Sequence, residues 1–173
     1  MILEAISTRR SVRRYKSTPI TKEQTRLMLE AAMLSPSGCN TRPWRFIAIT
    51  CREMLDKLAA NHAHARMLKG APLAIVVVAL PDTQGHDPDA LPFGFWPQDC
   101  GAATQNIMLQ AEAMGLGTCW CGVYPKKEKM AIFSEILEIP DNEIPFCVVS
   151  IGEKDEFPDP RGKYEEERVT WIE

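Results

Sequence analysis

The chain has 173 residues, a formal net charge of −3 and 45% hydrophobic content, a size that buries roughly 70% of the unfolded surface around one core. Its longest apolar run, PLAIVVVALP at 72–81, is far short of the ~20 residues a bilayer crossing requires, and MILEAISTRR lacks the apolar stretch of a secretory leader. The expectation is a cytoplasmic protein of one domain, 1–173, that neither spans a membrane nor depends on disulfides, because Cys39, Cys51, Cys100, Cys119, Cys121 and Cys147 are scattered without CxxC spacing.

A first short helix is predicted around Ile2, Leu3 and Ile6, leading directly into RRSVRRYK at 9–16. Thr21 and Gln24 have capping-box spacing, and Leu27, Met28, Ala31, Ala32 and Leu34 then keep to one helical face until SPSGCN at 35–40 ends the pattern. RFIAIT at 45–50 reads as a strand and 53–60 as a helix. LAIVVVAL at 73–80, continuously apolar and β-branched, reads as a strand buried on both faces.

From Pro81 to Pro97 four prolines and two glycines exclude a helix or a ladder strand. Loops of that length are often lids or binding loops, and this one carries Phe93, Phe95 and Trp96. A helix follows over 99–114, with Gly115 as its stop signal, then a short strand in GTCWCGV, a helix over 126–138 and an apolar strand in PFCVVSIG at 145–152. The last 21 residues are charged and proline-interrupted but end in the strand-like RVTWI. Alternating helices and strands indicate an α/β or α+β sandwich. Neither GxGxxG after an early strand nor GxxxxGK[ST] is present, so the usual dinucleotide and P-loop signatures are missing.

Arg9, Arg10, Arg13 and Arg14 admit two readings: charges on a solvated face, or an anion site. Arg rather than Lys dominates, and Ser11 adds a hydroxyl, which together suit a phosphate monoester. Nucleic acid fits poorly with a net charge of −3 and no second basic stripe. SPSGCNTRPWRF at 35–46 is either a plain helix-to-strand turn or a binding loop. His62 and His64, two residues apart, would diverge on a helix and so share no metal. Cys119 and Cys121 alternate on a strand and face one side, as a buried thiol pair without an evident partner nearby in sequence. Trp44, Trp96 and Trp120 read as core, with Trp96 also placed to reach a substrate.

RRSVRRY, SPSGCNTRPWRF, GLGTCWCGV and IGEKDEFPDPRGKYEEERV occur in an order and spacing that resemble the nitroreductase family of FMN-dependent oxidoreductases, across essentially the whole chain. The family usually has Gln before Pro-Trp, where this chain has Arg42. The resemblance implies an α+β, three-layer α/β/α sandwich with a central mixed sheet, as an intertwined homodimer with flavin between subunits. It places Arg9, Arg10, Ser11 and Arg13 on the FMN phosphate and ribityl chain, and Pro36, Ser37, Gly38 and Asn40 beside the partner's flavin. Cys121 and Gly122 would face the ring near N5, Arg161 and Lys163 would form a second phosphate clamp, and Arg66 or Lys69 would stand near N1 and O2. The Pro81–Pro97 segment would cover access to the flavin. The implied activity is hydride transfer from NADH or NADPH through flavin to a small-molecule acceptor such as a nitroaromatic or quinone, with no side-chain nucleophile, metal or nucleic acid involved. Dehalogenation, flavin cleavage and azoline oxidation are alternatives on the same fold; a non-catalytic flavin- or nucleic-acid-binding module is the alternative of another class.

Overall fold

The structure is a computed structural model that describes residues 1–81, 94–159, 162 and 164–173. Helices α1 (Glu4–Thr8) and α2 (Lys22–Met33) precede strand β1 (Trp44–Ile49), helix α3 (Arg52–Ala60) and strand β2 (Leu73–Ala79). Helix α4 (Trp96–Ala113), strand β3 (Leu116–Gly122), helix α5 (Lys127–Leu137) and strand β4 (Ile144–Glu153) follow, with 3₁₀ turns at Gly38–Asn40, Arg66–Lys69 and Glu166–Arg168. The strands lie in the order β1-β2-β4-β3. No helix among the described residues is long and apolar enough to cross a membrane.

β2 is buried along its whole length, because its side chains alternate between two cores. Leu73, Ile75 and Val77 point to one face with Met28 of α2 and Ala103 and Ile107 of α4. Ala74, Val76 and Val78 point to the other with Leu55 and Leu58 of α3 and Phe133 of α5. Helices on both sides of a sheet whose central strand has no polar face make the expected three layers. At the start of α2 the capping box is present in both directions: the Gln24 amide donates to Thr21 Oγ1 at 3.1 Å, and the Thr21 amide donates to Gln24 Oε1 at 2.9 Å.

Three expectations are corrected. Every strand pair is antiparallel, so among the described residues the sheet is mixed only in that Ser11 bridges Thr118 in the parallel sense. The terminal RVTWI holds no strand beyond the turn at Glu166–Arg168; a strand exists only through a ladder partner, and this chain pairs none with it. Val169, Trp171 and Ile172 are consequently exposed. Finally, α4 begins at Trp96 rather than at 99. Pro97 is accommodated because amides of a helix's first turn have no intrahelical acceptor. Trp96 is buried against Tyr124 and Phe146, so it belongs to the core and does not wall a substrate path. Residues 82–93, including Phe93, lie outside the described residues.

Gly117 and Gly152 face each other across β3 and β4 and form a trough for the segment that follows α1. A Cβ at Gly117 would come within 2.7 Å of Val12, and one at Gly152 within 2.8 Å of Tyr15. Val12 is fully buried there, its amide donating to the Thr118 carbonyl at 2.9 Å, and the Lys16 amide donates to the Glu153 carbonyl at 3.0 Å. Gly101, inside α4, has room: a Cβ would meet only the Trp120 ring at 3.8 Å. Gly152→Ala should therefore destabilise the fold by ~1–3 kcal/mol through overpacking, whereas Gly101→Ala should stabilise it by up to ~1 kcal/mol through helix propensity. Urea unfolding midpoints that move in opposite directions for the two variants are the expected outcome; matching shifts would show that the trough is not tight.

Candidate active site

The trough sorts the arginine cluster by partner. The Arg10 guanidinium donates to the Asp159 carbonyl at 3.2 Å and to that of Arg9 at 2.6 Å. Arg14 pairs with Glu156 at 3.3 Å, and Lys16 with Glu153 at 2.5 Å. Glu156 also accepts from the Arg13 amide at 2.5 Å, and the Asp155 amide donates to the Arg14 carbonyl at 3.1 Å. Residues 153–159 thus lie along the cluster, pairing Arg14 and Lys16 with carboxylates and orienting Arg10 through a carbonyl. Among the described residues, Arg9 and Arg13 form no ion pair. The Tyr15 hydroxyl fixes this geometry from beneath, 2.7 Å from Ser150 Oγ and 2.5 Å from the Val12 carbonyl; burial, above all, drives its pKa up.

Arg13 opens onto a groove of about 620 Å³ lined by His62, His64, Arg66, Met67, Cys119, Trp120, Cys121, Gly122 and Lys129. Its floor is β3, an edge strand whose Cys119 and Cys121 point to the α3/α5 face. The Cys121 thiol lies 3.2 Å from the His64 carbonyl and 3.6 Å from Met67 Sδ, either of which can accept its proton. The neighbouring Cys121 thiol, foremost, holds the Cys119 thiol below its usual range, and Arg13, the Ser11 hydroxyl and Arg9 act in the same direction. The neighbouring Cys119 thiol, followed by burial, pushes Cys121 up.

His62 fixes one wall. Its ring is buried, with Nδ1 accepting from the His64 amide at 3.2 Å and Nε2 lying 2.9 Å from the Gly122 carbonyl. With Nδ1 occupied as acceptor, the proton sits on Nε2 and is donated to Gly122. Burial, the largest cause, lowers the pKa of this ring and keeps it neutral. The two histidines lie in a turn after α3, not on a helix, which is why both line the groove.

Pro36, Ser37 and Gly38 line a second groove with Phe95, Gln98, Asp99 and Ala102 at the start of α4. The Gly38 amide donates to the Asp99 carboxylate at 3.2 and 3.3 Å, and a Cβ at Gly38 would come within 2.8 Å of Phe95. Asn40 and Arg42 are both at positive φ, 56° and 51°, and Asn40 Oδ1 accepts from Arg42 Nε at 3.2 Å. Asn40 and Arg42 line neither groove.

Of the residues singled out by sequence, Arg13, Arg66, Cys121 and Gly122 meet in the first groove, with Ser11 and Arg9 close enough to act on Cys119. Lys69 does not line it, and Arg161 and Lys163 lie outside the described residues. Sequence reading passed over His62 as a positioning group and Asp99 as the anchor of the 35–40 loop. A buried Asp in a helix's first turn is a signal, but its target is 61 residues away.

Comparison with known proteins gives a consistent picture. A family model described as the nitroreductase family matches residues 6–68 and 56–153. A protein of Methanothermobacter thermautotrophicus, provisionally named NADH dehydrogenase/NAD(P)H nitroreductase, is 40% identical over 168 residues, covering 97% of this chain and 85% of that one. The FMN-dependent nitroreductase of Clostridium difficile R20291 superposes with a TM-score of 0.85 at 31% identity, covering 98% of each chain. A protein of Desulfovibrio desulfuricans provisionally named a nitroreductase, solved in complex with FMN, superposes at 0.81 with 27% identity over 98% of this chain and 95% of that one. The grooves described above thus sit on a shared scaffold, and the chain belongs to the nitroreductase family.

Proposed function

We propose that the chain is an NAD(P)H-dependent flavin oxidoreductase that holds FMN in the groove between residues 9–13 and β3. The observation that carries this reading is that Arg13, which forms no ion pair among the described residues, lines a groove of about 620 Å³, with Arg9, also without an ion pair there, close enough to act on Cys119 in its floor; the volume suits a cofactor. The donor set fits such a ligand. Two guanidinium groups and the Ser11 hydroxyl suit a phosphate monoester, and Trp120, Met67 and the β3 backbone supply a wall for a planar ring. When bound, FMN supplies the redox chemistry, taking hydride from NADH or NADPH and passing it in ping-pong order to a nitroaromatic, quinone or similar acceptor.

The chain's own residues bind, orient and polarise. Arg66 adds fixed positive charge to the groove wall, which favours a ligand that gains negative charge during turnover. His62, through its bond to the Gly122 carbonyl, holds the Cys121–Gly122 backbone where it would border the ring. Arg10 holds the tail at Asp159, the approach to Arg161 and Lys163, which would complete the phosphate clamp. Pro36, Ser37, Gly38 and Asn40 would border the flavin of a second subunit. A homodimer also gives a use to apolar surface that one chain leaves bare: Ile2 and Leu3 just before α1, Ile6 on it, and Val169, Trp171 and Ile172 in the tail.

The direct test is a visible absorption spectrum of the purified protein followed by anaerobic addition of NAD(P)H. A flavin band that bleaches on reductant is the expected result; a colourless protein that cannot be reconstituted with FMN would overturn the reading. Arg9→Ala or Arg13→Ala should remove a charge-assisted bond worth ~1.5–3 kcal/mol, weakening FMN roughly ten- to a hundredfold. Riboflavin, which lacks the phosphate, should lose little in the same variants, and equal losses for both ligands would assign the arginines to folding instead. Deleting residues 168–173 should weaken the dimer and lower flavin occupancy together. Light scattering showing a flavin-replete monomer, before or after the deletion, would count against a site shared between subunits.

A further inference from the structure

The thiols in the groove floor have no role in the proposed activity, which uses the neighbouring Met67 only as apolar wall. Cys119 and Cys121 are both buried and point the same way from alternate positions of β3, and Met67 Sδ lies 3.6 Å from Cys121 Sγ. All three line one open groove, unlike Cys100 and Cys147, which are enclosed in the opposite core. We propose that Cys119, Cys121 and Met67 form a binding site for a soft monovalent metal ion, of which copper(I) is the representative.

Ligand type and geometry select that class. Thiolate and thioether sulfurs prefer copper(I) among first-row ions, whereas structural zinc takes four ligands of nitrogen, sulfur or oxygen. Among the described residues no three His, Cys, Asp or Glu side chains cluster as metal ligands; the third donor here is a thioether. A disulfide is the poorer use of the same pair. Strand rise sets alternate Cα atoms about 6.6 Å apart, at the long end of what an S–S bond spans and above its preferred distance, so a bridging ion fits where a direct bond strains. Binding balances as Cu⁺ plus two thiols giving a bis-thiolate complex of charge −1 and two protons released, with Met67 as a neutral third donor and no change in oxidation state. Arg13 in the groove wall, with Arg9 beside it, offsets that negative charge.

The test is an anaerobic titration of the full-length chain, as purified, against copper(I) held by bicinchoninate, read by the loss of the chelator complex's colour. One equivalent should transfer to the protein. Cys119→Ser and Cys121→Ser should each weaken transfer by roughly a hundredfold, and Met67→Leu, a change at a part-exposed position that spares both thiols, by roughly tenfold. The double variant Cys39→Ser/Cys51→Ser, which removes the exposed thiols, should keep the equivalent. Transfer unaffected by Met67→Leu and Cys121→Ser, loss confined to the Cys39/Cys51 variant, or displacement of the copper by equimolar zinc(II) would each overturn the assignment. Because the sulfurs lie in the groove assigned to FMN, the titration is run on the chain as purified and again after flavin removal; absence of transfer in both forms would overturn the site, while the flavin spectrum tests the proposed activity separately.

Discussion

The close approach of residues 11–16 to the paired glycines Gly117 and Gly152 is the contact on which the site depends. Only where β3 and β4 present no side chain can Val12 and Tyr15 lie flat on the sheet. The α3/α5 face would otherwise need another helix at that end; a short extended segment covers it instead. Because that segment is fixed by two backbone bonds, Val12 to Thr118 and Lys16 to Glu153, the alternation of an extended chain decides where side chains go. Val12 turns into the protein and Arg13 out onto the groove rim. Shifting the register by one residue would bury an arginine and expose a valine, which the desolvation of a guanidinium forbids.

The sheet also separates two half-sites. The groove beside Cys119, Cys121 and His62 belongs to the α3/α5 face, whereas the loop at Pro36–Gly38 is tied to the start of α4 on the other face by Asp99. Neither groove by itself encloses a ligand. In the proposed homodimer the loop of one chain meets the groove of the other, which gives a physical role to both the unpaired tail and the bare apolar side of α1. A one-chain protein with these exposures would carry an edge and an apolar patch with nothing to cover them.

Local signals were legible in the sequence and distant ones were not. The apolar run at 73–80 announced a strand covered on both faces, and Thr21 with Gln24 announced a capped helix, because each depends on residues within one turn or one pleat. The arginine-serine segment and the Cys121–Gly122 pair were legible as motifs, and both prove to border one groove. By contrast, Asp99 reaches Gly38 across 61 residues, His62 reaches Gly122 across 60, and Cys121 reaches Met67 across 54. Those pairings follow from how helices cross the sheet, which no local periodicity encodes. The start of α4 was hidden for another reason: Pro97 reads as a breaker everywhere except in the first turn, and only the packing of Trp96 on Tyr124 shows that it is in one.

Charge distribution links these features. With a net charge of −3, long-range attraction of an anion is not available from the chain as a whole; beyond about 8 Å at physiological ionic strength, individual exposed charges are largely screened. Recognition of a phosphate must therefore be local. The tail accomplishes this by partial neutralisation: Glu153 and Glu156 take Lys16 and Arg14, and Asp159 takes Arg10 through its carbonyl. These exposed contacts contribute little stability, being screened by solvent, yet they orient the segment. What remains on the inner side is the charge of Arg13 at the groove, with Arg9 near enough to act on Cys119, on the same backbone that the two glycines admit. The acidic tail and the basic cluster are thus parts of one arrangement, in which a carboxylate occupies Arg14, backbone carbonyls orient Arg10, and Arg13 is left to the groove.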